Sequence, residues 1–202
     1  MNPLTLDDLL PLEEFAARRR DFLEAHGRYL DRYRRVRIGP RVTLLFENRQ
    51  TIWFRLQELL RIARLAEPAR VAQEMDLLNR LIPGRDRLAA SLLLSVEDET
   101  RLSEELAPWR ELHGNDLTLH AGPLAHPANL FTARPEDRCI GTAHWVEFPL
   151  EGAGREFLAD LRQPAFVAVA RDAYRHESAP LSDEMRQSLL DDLLLSDRDA
   201  AA

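Results

Sequence analysis

The strongest constraint on the fold is a two-residue alternation of apolar side chains in the second half of the chain. It is clearest in RLAASLLLSVED, where Leu88 and every second residue up to Val96 are apolar. That period places these side chains on one face of a β-strand. Residues 116–121 and 141–150 alternate in the same way, and AFVAVAR (165–171) is apolar on both faces, which is typical of an interior strand. These segments predict a small, mostly antiparallel sheet formed from about residue 88 onward.

Helical signals dominate the first half of the chain. Asn48 is placed to cap one helix and Ser182 to cap another near the C-terminus. Three- to four-residue periodicity predicts helices at about residues 11–33, 48–65, 69–81, 98–113 and 182–195. The segment VRIGPRVTLLFEN between the first two helices is predicted to be extended, with a turn at Gly39-Pro40. The sequence therefore predicts an α+β fold with a largely helical N-terminal half, as one domain over residues 1–195 and a frayed tail over 196–202.

Composition excludes several classes of chemistry. All 27 basic residues are arginine, so a Schiff base, a pyridoxal phosphate linkage and a P-loop lysine are impossible. Cys139 is the one cysteine, which rules out an intrachain disulfide and a four-cysteine zinc or iron–sulfur site built by this chain alone. The glycines form neither a G-x-G-x-x-G nor a G-x-S-x-G motif. No cofactor is predicted.

The charge and hydropathy of the chain limit its expected cellular location and partners. The formal net charge is −7, which argues against general nucleic-acid binding, because proteins of that class usually carry a net positive charge. The N-terminus holds acidic residues where a signal peptide would hold basic ones, and no apolar run is long enough to cross a membrane. We therefore expect a soluble, cytoplasmic protein without a membrane partner. Residues 28–41, where six arginines alternate with two tyrosines, leave RNA binding as a weaker alternative to a solvated face or an acidic partner.

Polar residues on the long helix give a first candidate site. The predicted helix is apolar on two sides, with Glu58 and Arg61 between them. Residues three apart are neighbours on a helix, so these two side chains are expected to be partly buried together. They form either a structural ion pair or the polar lining of a pocket between the two halves of the chain.

The histidines give a second set of candidates but no metal site. His144 lies on the apolar side of GTAHWVEFPL, opposite in parity to Cys139 and Glu147. In regular strands of one sheet His120 and His144 would face opposite sides, so no metal is predicted. His144 is either a core histidine with satisfied ring nitrogens or part of a pocket. Tyr174-Arg175-His176, at the end of the predicted interior strand, form either a pocket wall or a surface loop.

Several blocks of the chain together resemble a known family. LTLDDLLPLEEF, TLLFENRQT, QELLRIARLAEP, LNRLIPG, TAHWVEFPL and AYRH follow the order of the bacterial domain-of-unknown-function 3501 family, over about residues 4–176. The resemblance implies no activity. It implies a genomic association with rubrerythrin-like proteins and with iron–sulfur proteins similar to heterodisulfide reductase subunits. The matching blocks contain the polar residues Glu47, Arg49, Gln57, Glu58, Arg61, His144, Tyr174 and His176.

Two functions from different classes follow from these observations. The first is an accessory protein of a redox or oxidative-stress system, whose partner is a rubrerythrin-like or iron–sulfur protein. The second is an enzyme or small-ligand binder, with a polar pocket formed by Glu58, Arg61, His144, Tyr174 and His176, and with Glu47 as a further candidate. The sequence does not decide whether the chain is an enzyme, and a homo-oligomer is compatible with both functions.

Overall fold

The computed structural model describes residues 1–109, 112–131 and 143–200. Within these ranges the chain forms six α-helices and nine β-strands. The helices are α1 (Leu12–Tyr33), α2 (Arg49–Ala63), α3 (Pro68–Asn79), α4 (Leu102–Leu106), α5 (Ala153–Ala159) and α6 (Asp183–Ala200). The strands are β1 (Arg35–Ile38), β2 (Val42–Phe46), β3 (Arg87–Leu94), β4 (Leu117–Ala121), β5 (Leu124–Pro127), β6 (Asn129–Phe131), β7 (Ala143–Pro149), β8 (Ala165–Arg171) and β9 (Tyr174–Glu177).

The strands form two antiparallel sheets, which confirms the predicted α+β class. The first sheet has the order β1-β2-β3-β7-β6, and the second has the order β5-β4-β8-β9. The first sheet begins earlier in the chain than residue 88, because the hairpin of β1 and β2 pairs with β3 from Val42↔Leu94 to Phe46↔Ala90. The predicted interior strand, β8, lies between β4 and β9.

The main hydrophobic core takes alternate residues from both sheets. Leu44, Leu92 and Phe148 of the first sheet and Leu119 and Val167 of the second are fully buried in it. Helix α6 adds its predicted apolar side to the same core: Met185, Leu189 and Leu193. The two-residue alternation seen in the sequence is therefore the packing pattern of this core.

A second apolar cluster lies on the other face of the first sheet. It joins α2 and α3 to the N-terminal segment through Leu4, Ile52, Leu56 and Met75. Trp145 of β7 packs against this cluster, whereas its neighbour Val146 lies in the main core. The first sheet is thus covered on both faces, by the second sheet and by helices.

Local signals fix the ends of the helices much as the sequence predicts. The Asn48 side chain accepts a hydrogen bond from the Thr51 amide at 3.0 Å, and the Thr51 hydroxyl accepts one from the Asn48 amide at 2.9 Å. This reciprocal cap starts α2. The Ser182 hydroxyl accepts from the Met185 amide at 3.2 Å and starts α6.

Three regions differ from the prediction. Tyr174 to Glu177 form strand β9 rather than a loop, because Asp172 adopts a left-handed backbone that turns the chain back onto β8. Residues 99–109 form short 3-10 segments around α4 instead of one helix. Residues 122–131, a stretch with two prolines for which the sequence shows no clear period, contain β5 and β6, while Cys139 lies outside the described residues. Over the described ranges, no helix combines the length and apolar character needed to cross a membrane.

Candidate functional site

The segment between β2 and α2 places a buried acid at the edge of the helical layer. The Glu47 amide donates to the Ala89 carbonyl at 2.8 Å and so continues the β2–β3 ladder. The next residue, Asn48, caps α2, and this change of direction turns the Glu47 side chain under the first turns of that helix. Only 2% of Glu47 is exposed.

Three donors hold the Glu47 carboxylate. The Thr51 hydroxyl and the Arg55 Nη2 group each donate to it at 2.5 Å, and the Ser91 hydroxyl of β3 donates to the same oxygen as Arg55. A buried carboxylate is costly unless it is paired and hydrogen-bonded, and this one is both. Glu47 is therefore a fixed anionic anchor for Arg55.

Arg55 is held on two sides. Its Nη2 group also donates to the Ser91 hydroxyl oxygen at 3.2 Å, and its guanidinium carbon lies 4.8 Å from the centroid of the Trp145 ring. Its side chain keeps 30% exposure. The Nε and Nη1 groups donate to no atom of the described residues, so part of the guanidinium remains available for a further hydrogen bond.

Glu58 forms the second ionic group of the same region. Arg19 of α1 donates to both carboxylate oxygens at 2.9 Å, and Arg61 donates to both at 3.0 and 3.1 Å. Hydrogen bonds from Arg19 and then from Arg61 lower the pKa of Glu58 from its ordinary 4.5 to about 2. The predicted proximity of Glu58 and Arg61 is present as an ion pair, which Arg19 extends to α1.

These groups surround a cavity of about 380 Å³, called here the helix–sheet pocket, between α1, α2 and β2. Its ionic side is formed by Glu47, Arg55 and Glu58. Its apolar walls are Leu30, Leu45, Phe54, Leu59 and Ile62. A mostly apolar cavity with a few converging polar groups is the usual form of a small-molecule site.

His26 contributes a neutral ring to this pocket. Its imidazole stacks on Phe54 with the ring centroids 4.0 Å apart. Burial, partly opposed by the Glu47 carboxylate, lowers the pKa of His26, so the ring is uncharged at neutral pH.

The pocket brings together some of the residues predicted from the sequence. Glu47 and Glu58 line it, and Arg61 is bound to Glu58. His144 does not reach it. It pairs with Leu92, one residue along from the Ser91↔Trp145 pair, and adjacent residues of a strand face opposite sides of the sheet.

His144 lies partly buried on the core side of the first sheet. Burial lowers the pKa of His144, and its Nε2 atom has no hydrogen-bond partner among the described residues. His120 belongs to the second sheet and stacks on Phe166 with a centroid distance of 4.6 Å, so the two histidines do not share a sheet as the sequence argument assumed. Across the described ranges, no group of three or more histidine, cysteine or acidic side chains is placed to hold a metal ion.

Tyr174 and His176 contact the β1–β2 turn. The Tyr174 hydroxyl donates to the Ile38 carbonyl at 2.5 Å and accepts from the Arg41 amide at 3.2 Å. Gly39, with φ of +64°, lies so close to His176 that an added Cβ would be 2.5 Å from the imidazole ring. Tyr174 of β9 therefore contacts β1. His144 lies on β7, three strands away from β1 in the first sheet, so the backbones of β1 and β7 are roughly 14 Å apart at the usual strand spacing.

Arg49 and Gln57 hold the N-terminal segment against α2. Arg49 pairs with Asp8 at 2.7 Å, and the Gln57 amide nitrogen donates to the Leu10 carbonyl at 3.4 Å. Gln57 is fully buried, and its amide oxygen has no partner among the described residues. Both residues act in packing rather than at the helix–sheet pocket.

Most arginines of residues 28–41 are used in ion pairs. Five of the six pair with acids: Arg28 with Glu24, Arg32 with Glu184, Arg34 with Asp192, Arg35 with Asp31 and Arg41 with Glu105. Internal neutralisation leaves little positive charge for a phosphate backbone. The arrangement does not favour RNA binding by this stretch.

Sequence reasoning missed four residues of the helix–sheet pocket region: His26, Thr51, Arg55 and Ser91. Ser91 carried a usable signal, as a single hydroxyl within an otherwise apolar strand. Arg55 carried none, because its partner Ser91 is 36 residues away and the pairing of β2 with β3 decides the contact.

Comparisons with known proteins agree with this architecture. The model of the family described as protein of unknown function DUF3501 matches residues 3–193. A crystal structure described as a novel protein of unknown function from Burkholderia pseudomallei K96243 has a TM-score of 0.86 and 26% sequence identity, and the match covers 95% of this chain and 100% of that chain. A comparison with curated proteins gave no significant match.

Proposed function

This chain belongs to the DUF3501 family, and we propose that it is a small-ligand-binding protein whose site is the helix–sheet pocket. The observation that carries the proposal is the Arg55 guanidinium, fixed by Glu47, Ser91 and Trp145 and left with unused donors beside an apolar cavity. Glu47 balances the charge of Arg55, so its unused donors can bind a further group at the cavity without leaving a buried charge unpaired.

Binding fits these groups better than acid–base catalysis. A useful general base has a pKa near the working pH, whereas the pKa of Glu58 is about 2. Both oxygens of Glu47 already accept strong hydrogen bonds. The polar groups are therefore arranged to hold charge in place rather than to exchange protons.

The proposal is tested by closing the pocket at its rim. Ile62 lines the cavity and is 68% exposed, so Ile62→Trp can narrow the entrance without disturbing the core. Leu102→Trp is the matched control, because Leu102 is 43% exposed on α4 and does not line the pocket. Each protein is incubated with a cell metabolite extract, and bound small molecules are measured by mass spectrometry.

We expect the wild type and Leu102→Trp to retain the same small molecule, and Ile62→Trp to lose it. Enrichment of the same molecule by all three proteins would place its site elsewhere. Failure of the wild type to retain any small molecule would contradict the proposal.

We propose as a second candidate that the chain is an accessory protein of a redox or oxidative-stress system. Its partner would be a rubrerythrin-like or iron–sulfur protein. The family resemblance motivates this role, and one feature of α6 favours it: Leu194 and Leu195 stay 50% and 46% exposed although Leu193 is fully buried. Exposed neighbouring leucines are suited to a protein partner.

Affinity purification from native cells tests this second role. We expect rubrerythrin-like or iron–sulfur proteins to copurify with the wild type, and to be depleted with a Leu194→Asp, Leu195→Asp variant. A homo-oligomer that disappears in the same variant would assign the two leucines to a second copy instead. A monomer that retains none of these partners would exclude the accessory role.

A further inference from the structure

We propose that the ligand of the helix–sheet pocket is an uncharged molecule with an apolar body and one hydrogen-bond-accepting oxygen, and that a single N–H of Arg55 donates to this oxygen. This inference rests on the proposed ligand-binding function and specifies the chemical class of the ligand. It follows from the pairing of the charged groups, from the donors that Arg55 has left, and from the character of the walls.

The charged side chains at the pocket favour neither an anion nor a cation. The lining holds two carboxylates, Glu47 and Glu58, against one guanidinium, Arg55, so its charges sum to −1 and do not attract an anion. Glu58 is neutralised from outside the lining by Arg19 and Arg61, whose two positive charges leave no unpaired acid for a cation. A charged ligand of either sign would therefore be buried without a counter-charge, which costs free energy.

The hydrogen bonds of the two carboxylates show that the ligand accepts rather than donates. Each Glu58 oxygen already accepts from two guanidinium groups. Glu47 is 2% exposed, and its oxygens accept from three side chains of the protein. A ligand that donates hydrogen bonds to either acid would have to displace donors that are already in place. The group left to bind the ligand is therefore a donor of the protein.

Arg55 supplies that donor, and its geometry suits one acceptor atom. Its Nη2 group is used by Glu47 and Ser91, and both edges of the guanidinium that could hold two carboxylate oxygens include this nitrogen. The Nε and Nη1 groups donate to no atom of the described residues, and they point to opposite sides of the guanidinium. Each can therefore hold a single oxygen. The Trp145 ring, 4.8 Å away, helps to order the side chain in advance, which lowers the entropy cost of binding.

The walls define the rest of the ligand. Leu45, Phe54, Leu59 and Ile62 give the cavity an apolar side next to the ionic one. The His26 ring on Phe54 adds no charge at neutral pH, because burial lowers the pKa of His26. An alkyl or aryl group would cover these walls, and a cavity of about 380 Å³ is near the lower end of small-molecule sites. The matching class is a small apolar ketone, ester or ether.

The test compares four probes of similar size and shape: acetophenone, ethylbenzene, benzoate and benzylammonium. They share a phenyl ring and carry an uncharged acceptor, an apolar group, an anion and a cation, respectively. Each is titrated into the wild-type protein at pH 7, and the amide signals of Leu45, Arg55 and Ile62 are followed by NMR. We expect acetophenone to bind about 5-fold more tightly than ethylbenzene, the scale of one net hydrogen bond. It should bind about 10-fold or more tightly than either ion, because neither ion finds a counter-charge.

Variants then assign the effect to Arg55. Arg55→Lys keeps the charge that balances Glu47 but removes the Nε and Nη1 donors, so we expect acetophenone to bind about 5-fold more weakly. Ethylbenzene should bind to this variant as it does to the wild type, which also shows that the pocket still folds. Arg41→Lys is the matched control, because Arg41 is another partly buried arginine paired with one acid, Glu105, and does not line the pocket. It should change neither affinity.

The outcomes separate this inference from the proposed function. Equal binding of acetophenone and ethylbenzene at the pocket signals, or an unchanged acetophenone affinity in Arg55→Lys, would overturn the hydrogen bond from Arg55 while leaving a ligand pocket in place. Tightest binding of benzoate or of benzylammonium would overturn the assignment in favour of a charged ligand. Signals that move with none of the four probes would overturn both the assignment and the pocket.

Discussion

Arg34 and Asp192 form a buried ion pair that joins the start of the first sheet to the C-terminal helix α6, across 158 positions of the chain. Arg34 is 1% exposed and Asp192 is 4% exposed. The Tyr29 hydroxyl accepts from Arg34 Nε at 2.9 Å and from the Asn48 side chain at 2.8 Å. The pair therefore belongs to a polar network that connects α1, the cap of α2 and α6.

Breaking this pair is expected to destabilise the fold. Arg34→Met leaves the Asp192 carboxylate without its buried cation, and removal of one partner of a buried pair costs about 3–5 kcal/mol. Urea unfolding followed by circular dichroism measures the loss. The control is Arg20→Met, because Arg20 pairs with Glu24 on the surface of α1 and should leave the unfolding midpoint in place. Equal midpoints for Arg34→Met and the wild type would contradict a structural role for the network.

Arg186 is expected to anchor the short helix α5. Its buried guanidinium donates to four backbone carbonyls around the end of that helix: Phe157, Leu158, Asp160 and Gln163. The last carbonyls of a helix have no partner within it, so this side chain replaces the missing donors. We expect Arg186→Met to lower the free energy of unfolding by about 3 kcal/mol and to speed amide exchange in α5. The neighbouring, exposed Gln187→Met should do neither.

The ion pairs of Glu58 predict an acid dependence of stability. The folded pKa of about 2 lies below the ordinary value of 4.5, so the unfolded chain takes up the proton first as the pH falls. The contribution is fully present above about pH 4.5 and is lost between that value and about pH 2. Over this pH range, the free energy of unfolding should fall less steeply with falling pH for Glu58→Gln than for the wild type, as urea unfolding at a series of pH values measures. Glu14→Gln, which affects an exposed pair with Arg18, should retain the wild-type slope.

Tyr174 is expected to stabilise the β1–β2 turn rather than to bind a ligand. Tyr174→Phe removes the donor to the Ile38 carbonyl and the acceptor of the Arg41 amide, at a cost of about 1 kcal/mol. Tyr33→Phe is the control, since the Tyr33 hydroxyl makes no hydrogen bond within the described part of the chain. Loss of the bound small molecule in Tyr174→Phe, with the unfolding midpoint unchanged, would assign Tyr174 to a site after all.

Periodicity predicts much of the local structure, because within one strand or helix the spacing of the residues decides which side chains are buried. The alternation from Leu88 to Leu94 is the core face of β3, and Asn48 caps α2 as its side chain allows. Sheet order is different, because it depends on which strands meet after long connections. The pairing of β3 with both β2 and β7 decides that Ser91 lies beside Glu47 and Trp145.

The same limit explains why the sequence predicts the contact between some candidate residues and wrongly groups others. Glu58 and Arg61 are neighbours on one helix, so their spacing alone predicts their contact. His144, Tyr174 and His176 were grouped on residue type, and their strands belong to different sheets. Arg34 lies within an arginine-rich stretch that reads as solvent-exposed, yet it is buried because Asp192 arrives from α6. A charge whose partner is distant in sequence gives no local sign of its burial.

The position of α6 has a consequence for synthesis on the ribosome. Leu181, Met185, Leu189 and Leu193 complete the core shared by the two sheets, and Asp192 neutralises Arg34. Until these residues leave the exit tunnel, the nascent chain holds an open apolar surface, and Arg34 lacks both its partner and the helix that buries it. Folding is therefore expected to finish only after residue 193 has emerged, and chains stalled before that point are natural clients for chaperones.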